Sequence, residues 1–429
     1  MLTAELPGLG IYKISTTAEA TEVMVLYRNG DRTMNMADFS FTPNDAIFEN
    51  REALLEEWTP DSLVGRDEEL TRYHAALQPV INNETPSNVF LYGKSGVGKT
   101  AATRYLLRTL EGDATDVPEL ELTTIEVNCD GLNTSYQVAV KLVNELREPG
   151  RQISNTGYPQ ASVYEFLFDE LDTCGGTVLI VLDEVDHIGD DSLLYKLPRA
   201  RSNGDISDAK LGVIGISNDL DFRTQLSSKV RSSLCEKEVS FSAYDADELR
   251  LVLEQRERVA FQDGVLEDGV IAMCAAYGAK DSGDARKALD LLLEAGDVAR
   301  ESGSDVVTEA HVQKARERVQ MDQVVEGIQN YSEHGKLVLY ALTLLHERDE
   351  TPARTREVVE TYREVAHSEG VSPVSERSVR DYLGELAQLG ITSSTEHNRG
   401  KGGGKYNEHR LTQSVSAVRS GLSTLLESA

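Results

Sequence analysis

Short apolar runs, rich in β-branched residues and separated by longer amphipathic stretches, organise the first half of the chain. Val89-Phe90-Leu91-Tyr92, Leu120 to Val127, Thr177 to Leu182 and Gly212-Val213-Ile214-Gly215-Ile216 are too short for helices and read as buried strands. Between them the apolar period is helical. Ile47 to Glu57 predicts a short helix, Val64 to Leu70 opens another that runs through Val80, and further helices follow Gly98 and span Thr134 to Leu146. This alternation predicts a doubly wound α/β domain with a parallel sheet. From Asp245 to about Tyr331 the strand signal stops. Segments 245–261, 268–277, 284–302 and 308–329 read as amphipathic helices parted by Gly, Asp and Ser, which predicts a small helical bundle. Helices near 335–347 and 353–368 precede a third, Ser375 to Leu389, in which Val379, Tyr382, Leu383, Leu386 and Leu389 share one face and Gly390 is the stop. A basic, glycine-rich hairpin tip, Arg399 to Tyr406, completes the pattern of a winged helix-turn-helix. The expected division is an unassigned, flexible extension at 1–45, an α/β domain at 46–244 with a polar insertion at 190–208, a helical domain at 245–332 and the winged helix at 333–429.

Composition changes this picture in one respect. The chain has 429 residues and a formal charge of −29, which taken alone argues against a nucleic-acid partner. The acid is not evenly spread, however. Residues 335–429 carry 12 basic and 13 acidic residues, a net of −1, so the preceding part carries −28. The terminal domain has been spared. Four scattered cysteines, Cys129, Cys174, Cys235 and Cys274, form no C-x-x-C pair and read as reduced structural thiols. No apolar stretch reaches membrane-span length, so a soluble, cytoplasmic protein is expected, with no membrane partner.

The chemistry is concentrated in two segments. Residues 93–100, Gly93-Lys94-Ser95-Gly96-Val97-Gly98-Lys99-Thr100, fit the G-x-x-x-x-G-K-[ST] pattern between a strand and a helix. Its backbone N–H groups at a helix N-terminus suit phosphates, with Lys99 toward the β/γ oxygens and Thr100 toward Mg²⁺. Residues 177–182 then deliver Asp183 and Glu184 at the C-terminal edge of a central strand, where α/β sheets place their ligands. Asp183 is expected to serve the metal, and Glu184 to polarise the attacking water. ATP and Mg²⁺ are the expected ligands.

Several further segments carry a family resemblance: Leu182-Asp183-Glu184-Val185-Asp186, Leu193-Leu194-Tyr195-Lys196-Leu197, Gly215-Ile216-Ser217-Asn218-Asp219, Val230-Arg231-Ser232-Ser233-Leu234, Tyr244-Asp245-Ala246 and Gly283-Asp284-Ala285-Arg286-Lys287-Ala288. With the phosphate loop, Ile47 to Arg410 resembles the archaeal initiators of DNA replication, AAA+ ATPases related to the largest subunit of the origin recognition complex and to its helicase-loading partner. Abundant Asp and Glu with few lysines also resemble proteins of salt-loving archaea. The resemblance implies an AAA+ fold with a helical lid and a winged helix. It gives Asn218 the role of sensing the γ-phosphate, Arg286 that of the lid arginine reaching to the phosphates, and Tyr244 and Arg256 places beside the base. A strand-end turn residue, a solvated arginine and an interdomain aromatic are the plain alternatives for Asn218, Arg286 and Tyr244. The polar insertion resembles an initiator-specific helix, with Lys196, Arg199 and Arg201 toward a DNA backbone or simply on a solvated face. One position departs from the family: Lys229 stands where an arginine finger usually precedes Val230, with Arg231 two residues on.

The function expected from this reading is ATP-dependent initiation of replication. The winged helix would bind double-stranded origin DNA through Arg377, Ser378 and Arg380 on its third helix and Arg399, Lys401 and Lys405 on its wing. An MCM-type helicase and further copies or paralogues are the implied partners, near the nucleoid. Slow hydrolysis would act as a switch. A winged-helix transcription regulator with an ATPase signalling domain is the alternative, and a clamp loader is a weaker one.

Overall fold

The computed structural model describes residues 46–56, 58–398 and 405–423, together with an isolated strand pair, Thr16–Thr17 and Ala20–Thr21. The remainder of the 1–45 extension lies outside the described residues, as do Arg399 and Lys401. The four apolar runs become strands β1 (Val89–Tyr92), β2 (Leu122–Asn128), β3 (Thr177–Asp183) and β4 (Lys210–Ser217), joined by a fifth, β5 (Lys237–Ser240). All pair in parallel, in the order β2-β3-β4-β1-β5. Every residue of β3 is buried, as a central strand covered on both faces requires.

The two faces divide by the period of two. Leu179, Val181, Ile214 and Ile216 pack against helices α1 (Asp67–Ile81) and α2 (Lys99–Ala114). Val178, Ile180, Leu182 and Val213 face α3 (Ser135–Leu146) and α4 (Gln160–Cys174). Thr134 caps α3, its hydroxyl accepting from the Gln137 N–H while Gln137 accepts from the Thr134 N–H. The polar insertion forms only short turns, including α5 (Ser192–Lys196), pinned by buried Leu193, Leu194 and Leu197. Helix α6 (Ser228–Leu234) follows β4. Helix α4 and strand β5 lie outside the sequence expectations. The α4 stripe of Val163, Tyr164, Leu167, Phe168 and Leu171 was legible, whereas β5 buries only Val239 and gives little signal.

The lid comprises α7 (Ala246–Ala260), α8 (Val270–Asp281), α9 (Ala285–Glu301) and α10 (Glu309–Gln329), close to the predicted segments. One assignment changes. The sequence reads 47–57 as a helix of the α/β domain, but Ile47, Phe48, Ala53 and Leu54 are buried in the core of the lid. Phe48 bridges Phe261 in antiparallel fashion, and only a short 3-10 turn, Arg51–Leu54, forms. Residues 47–56, with Trp58 beyond them, are therefore a strap across the lid.

In the winged helix, α11 (Glu333–Glu347), β6 (Ala353–Arg354), α12 (Thr355–Ser368) and α13 (Glu376–Gln388) lead into β7 (Thr392–Asn398) and β8 (Lys405–Leu411). The three strands pair antiparallel in the order β6-β8-β7. Helix α14 (Val415–Gly421) packs back on α10, where Gly421 meets Ile328. Val379, Leu383 and Leu386 of α13 are buried, but Leu389 is 54% exposed. It caps the helix instead of continuing its apolar face. The four thiols are free, with Cys129 and Cys274 buried. Among the described residues no helix is long and apolar enough to cross a membrane.

The strap's seat can be tested at Gly296 of α9. A methyl group there would stand 2.3 Å from Phe48 and 3.1 Å from Phe261. Gly296→Ala is expected to lower unfolding free energy by about 1–3 kcal/mol through overpacking, despite alanine's better helix propensity. Gly112→Ala in α2, where nothing lies within 4 Å, should gain up to about 1 kcal/mol. Denaturant titration of both variants checks the pair.

Candidate nucleotide-binding site

The phosphate loop leaves β1 and enters α2 with two glycines in left-handed conformations, Gly96 at φ 71° and Gly98 at φ 93°. A side chain at Gly96 would collide with the carboxylate of Asp284, 1.6 Å away, because the start of the lid helix α9 docks on the loop there. The Ala285 N–H donates to the Gly96 carbonyl at 3.0 Å. Gly98 sits beneath the Tyr244 hydroxyl, 2.9 Å from where a Cβ would lie. Glycine is thus required at both positions by backbone angle and by close approach.

Lys99 lies at the centre. Its ammonium donates to the carbonyls of Gly93 at 2.8 Å and Lys94 at 2.6 Å, and to Asn218 Oδ1 at 2.8 Å. Burial lowers its pKa to about 8, against the attraction of Asp183. Thr100 Oγ1 donates to Asp183 Oδ2 at 2.7 Å, which brings together the two hard oxygen donors expected around Mg²⁺. Glu184 follows in a left-handed conformation, φ 54° and ψ 42°. Such a strained non-glycine residue persists only where its surroundings hold it. Here its N–H donates to Asp183 Oδ1 at 2.9 Å, and its carboxylate accepts from Asn218 Nδ2 at 3.2 Å. Asn218, at the end of β4, is itself fixed by its N–H donating to Asp186 at 3.1 Å.

The lid supplies the opposite wall. Arg286 Nη1 donates to Ser95 Oγ at 3.4 Å, and Nη2 pairs with Glu56 of the strap at 2.8 Å. Tyr244 is the interdomain aromatic that the sequence offered as one of two readings. It is buried in the lid core and also faces the loop at Gly98. Arg256 stacks on Trp58 at 4.1 Å and donates to the carbonyl of Ala53 at 3.1 Å. Burial lowers its pKa to about 10. One cleft is lined by Gly96, Gly98, Lys99, Thr100, Asp183, Glu184, Asn218, Tyr244, Arg256 and Arg286. Sequence reasoning missed Glu56, Trp58 and Arg66. Trp58 is the only tryptophan of the chain, and that rarity was the available signal. Arg66 left only an arginine before a run of acids.

Outside this cleft the expected residues fare differently. Lys229 and Arg231 of α6 are exposed on either side of buried Val230. Arg199 donates to the Lys229 carbonyl at 3.3 Å, and Arg201 to the Ala209 carbonyl at 3.1 Å. Lys196 lies 5.3 Å from the Tyr164 ring. The insertion's arginines thus brace neighbouring segments. On α13, Arg377 is exposed, Ser378 bonds the capping Ser375, and Arg380 pairs with Glu376. On the wing, Lys405 pairs with Glu396 at 2.8 Å.

Three family models match the chain: an AAA domain over residues 82–223, a Cdc6 AAA+ ATPase-type lid domain over 250–317, and a CDC6 C-terminal winged helix domain over 326–420. ORC1-type DNA replication protein 11 of Haloarcula marismortui is 56% identical over 86% of this chain and 90% of its own. The ORC1-type DNA replication protein of Thermococcus kodakarensis is 41% identical over 83% and 86% respectively. The Aeropyrum pernix ORC1 protein, solved in complex with DNA, superposes with a TM-score of 0.74 at 37% identity, over 89% of this chain and 98% of that one.

Because Lys99 is poised to lose its proton near pH 8, binding of an anionic nucleotide should weaken as pH rises. Only the protonated amine attracts phosphate, so affinity is expected to hold at about pH 7 and to fall toward tenfold per unit above about pH 8.5. A nucleotide titration across that range checks this. A flat profile would mean that the amine keeps its proton.

Proposed function

The chain belongs to the ORC1-type DNA replication proteins, and from that premise we propose that it is an ATP-dependent replication initiator that binds origin DNA and helps recruit or load an MCM-type helicase. The observation that carries this reading is the joining of one complete nucleotide cleft to a winged helix within a single chain. The AAA domain match supports reading the cleft as a nucleotide site. Its donors fit the ligands: a phosphate loop on a 16-residue helix, a central ammonium, and the Thr100–Asp183 oxygens for Mg²⁺. When bound, Mg²⁺ supplies charge neutralisation to the phosphate oxygens.

The chain's own residues divide the work. Lys99 and Arg286 attract the phosphates from the loop and lid sides. Glu184 is the acceptor for the attacking water's proton, and Asn218, bonded to both Lys99 and Glu184, keeps base and phosphate site in register. Tyr244 and Arg256 with Trp58 form the base side. Hydrolysis is slow and switch-like in this reading, because Lys229 cannot offer the planar fork with which an arginine finger meets phosphate oxygens. The division into α/β domain, lid and winged helix is part of the proposal, with residues 47–56 and Trp58 moved to the lid. DNA contact is placed on Arg377, Ser378 and Arg380, and on the wing through Arg399, Lys401 and Lys405. The internal partners of Arg199 and Arg201 weigh against a backbone role for the insertion. Other copies or paralogues are proposed partners. The regulator alternative finds no support among the relatives.

Two experiments test this. Lys99→Ala should abolish nucleotide binding, while Glu184→Gln should bind normally and lose about a hundredfold or more of hydrolysis. Normal turnover by the Glu184 variant would remove its catalytic role. For DNA, Arg377→Ala or Arg380→Ala should each cost about 1–3 kcal/mol of discrimination between origin and random duplex. Lys401→Ala should weaken all DNA equally and flatten the salt slope by about one unit. Filter binding at several salt concentrations distinguishes these outcomes, and unchanged binding in all three variants would remove DNA contact from this domain.

A further inference from the structure

The strap brings into the cleft a carboxylate that the mechanism above does not use. Glu56 Oε1 lies 2.8 Å from Arg286 Nη2, while Nη1 of the same guanidinium reaches Ser95 of the phosphate loop at 3.4 Å. One edge of the lid arginine is therefore on the strap and the other on the loop. Ser95 follows Lys94, whose carbonyl holds Lys99, so Arg286 reaches the loop beside the segment that fixes the Lys99 ammonium. The strap is also a piece of the lid, since Ile47, Phe48, Ala53 and Leu54 are buried in the lid core. Glu56 and Arg286 thus travel on one body. Rotation of the lid as a unit would keep them together, whereas an anion on the loop side would compete for the guanidinium.

The surroundings make that competition real. Asp284 caps α9 and Asp290 lies one turn beyond Arg286 on it, and burial with the charges of Asp284 and Glu56 raises the pKa of Asp290. Arg286 is outnumbered by carboxylates.

Resting on the reading of Arg286 as a phosphate-facing residue, we propose that Glu56 is a built-in counter-ion that sets the charge a nucleotide must bring before the lid arginine transfers to it, so that the site favours triphosphate over diphosphate less than the bare arginine would. The pair is part-exposed, with side-chain accessibilities of 38% and 60%. Pairs of this kind change an equilibrium by a factor of about two to five, and that is the size of effect expected.

The test uses the full chain and the emission of Trp58, the single tryptophan, which lines the cleft. Titrate a non-hydrolysable ATP analogue and ADP, each with Mg²⁺, into the wild type, Glu56→Gln, Glu56→Ala, Arg286→Ala and the double variant Glu56→Gln with Arg286→Ala. Both Glu56 variants should bind the triphosphate about two- to fivefold more tightly and ADP unchanged, and the gain should vanish when Arg286 is absent. Weaker binding by Glu56→Ala with wild-type binding by Glu56→Gln would overturn the proposal, because glutamine keeps the acceptor and removes only the charge. Glu56 would then orient Arg286. Equal tightening of both nucleotides, no change in either Glu56 variant, or a gain that persists without Arg286 would also overturn it. Lys99→Ala runs in parallel. If it binds as the wild type does, the nucleotide reading itself fails; if it loses binding, the Glu56 results bear on the counter-ion alone.

Discussion

A single cation with almost no access to water holds the nucleotide machinery in shape. Arg66 is 1% exposed and is the largest fully buried side chain among the described residues. Burying a guanidinium is costly unless its donors are met, and here they are met by the two segments that must stay aligned. Nε donates to the Val97 carbonyl within the phosphate loop at 3.0 Å, and Nη2 to the Ser242 carbonyl at 2.7 Å, on the link from β5 into the lid. Its flat face lies 3.5 Å from the centre of the Tyr244 ring, and Glu69 supplies a counter-charge at 3.5 Å. Loop curvature and lid attachment are therefore satisfied by one group. Neither can shift far without leaving a buried charge or carbonyl unpaired.

That constraint explains what was legible in the sequence and what was not. The loop 93–100 and Asp183-Glu184 were readable because phosphate and metal chemistry demand fixed residue types at fixed spacing. The lid helices were readable because an amphipathic stripe survives wherever a helix covers one core. Arg66 and Glu56 were not, because their partners lie 176 and 230 residues away, between Arg66 and Ser242 and between Glu56 and Arg286. Long-range contact leaves no local period. The strap was misread for a related reason. Its apolar residues serve another domain's core, so their spacing answers to α9 and Phe261, not to a helix of their own. Leu389 shows the converse, an apolar residue in phase with a buried stripe that falls just past its end.

The charge pattern takes on a structural meaning as well. Part of the acid is paired with arginines within the same chain: Arg104 with Glu126, Arg147 with Glu170, and Arg318 with Glu294 and Glu301. Isolated exposed pairs of this kind contribute little each. Two buried arginines differ in kind. Arg66 and Arg256 are buried and stacked on aromatic rings, and their directions are fixed by carbonyls. Both guanidinium groups are thus aimed, not merely present.

Helix α10 gives the fold a mechanical arm. It begins in the lid, where Val312 and Ala315 are buried, and ends in the winged helix, where Ile328 is buried. Its 21 residues make an unbroken rod of about 31 Å at 1.5 Å per residue. A tilt of about 10° at its root would carry the far end about 5 Å, more than the spacing of successive base pairs along one strand. A lid movement of about one or two ångströms at the root of this rod would thus leave the winged helix addressing a different step of a duplex.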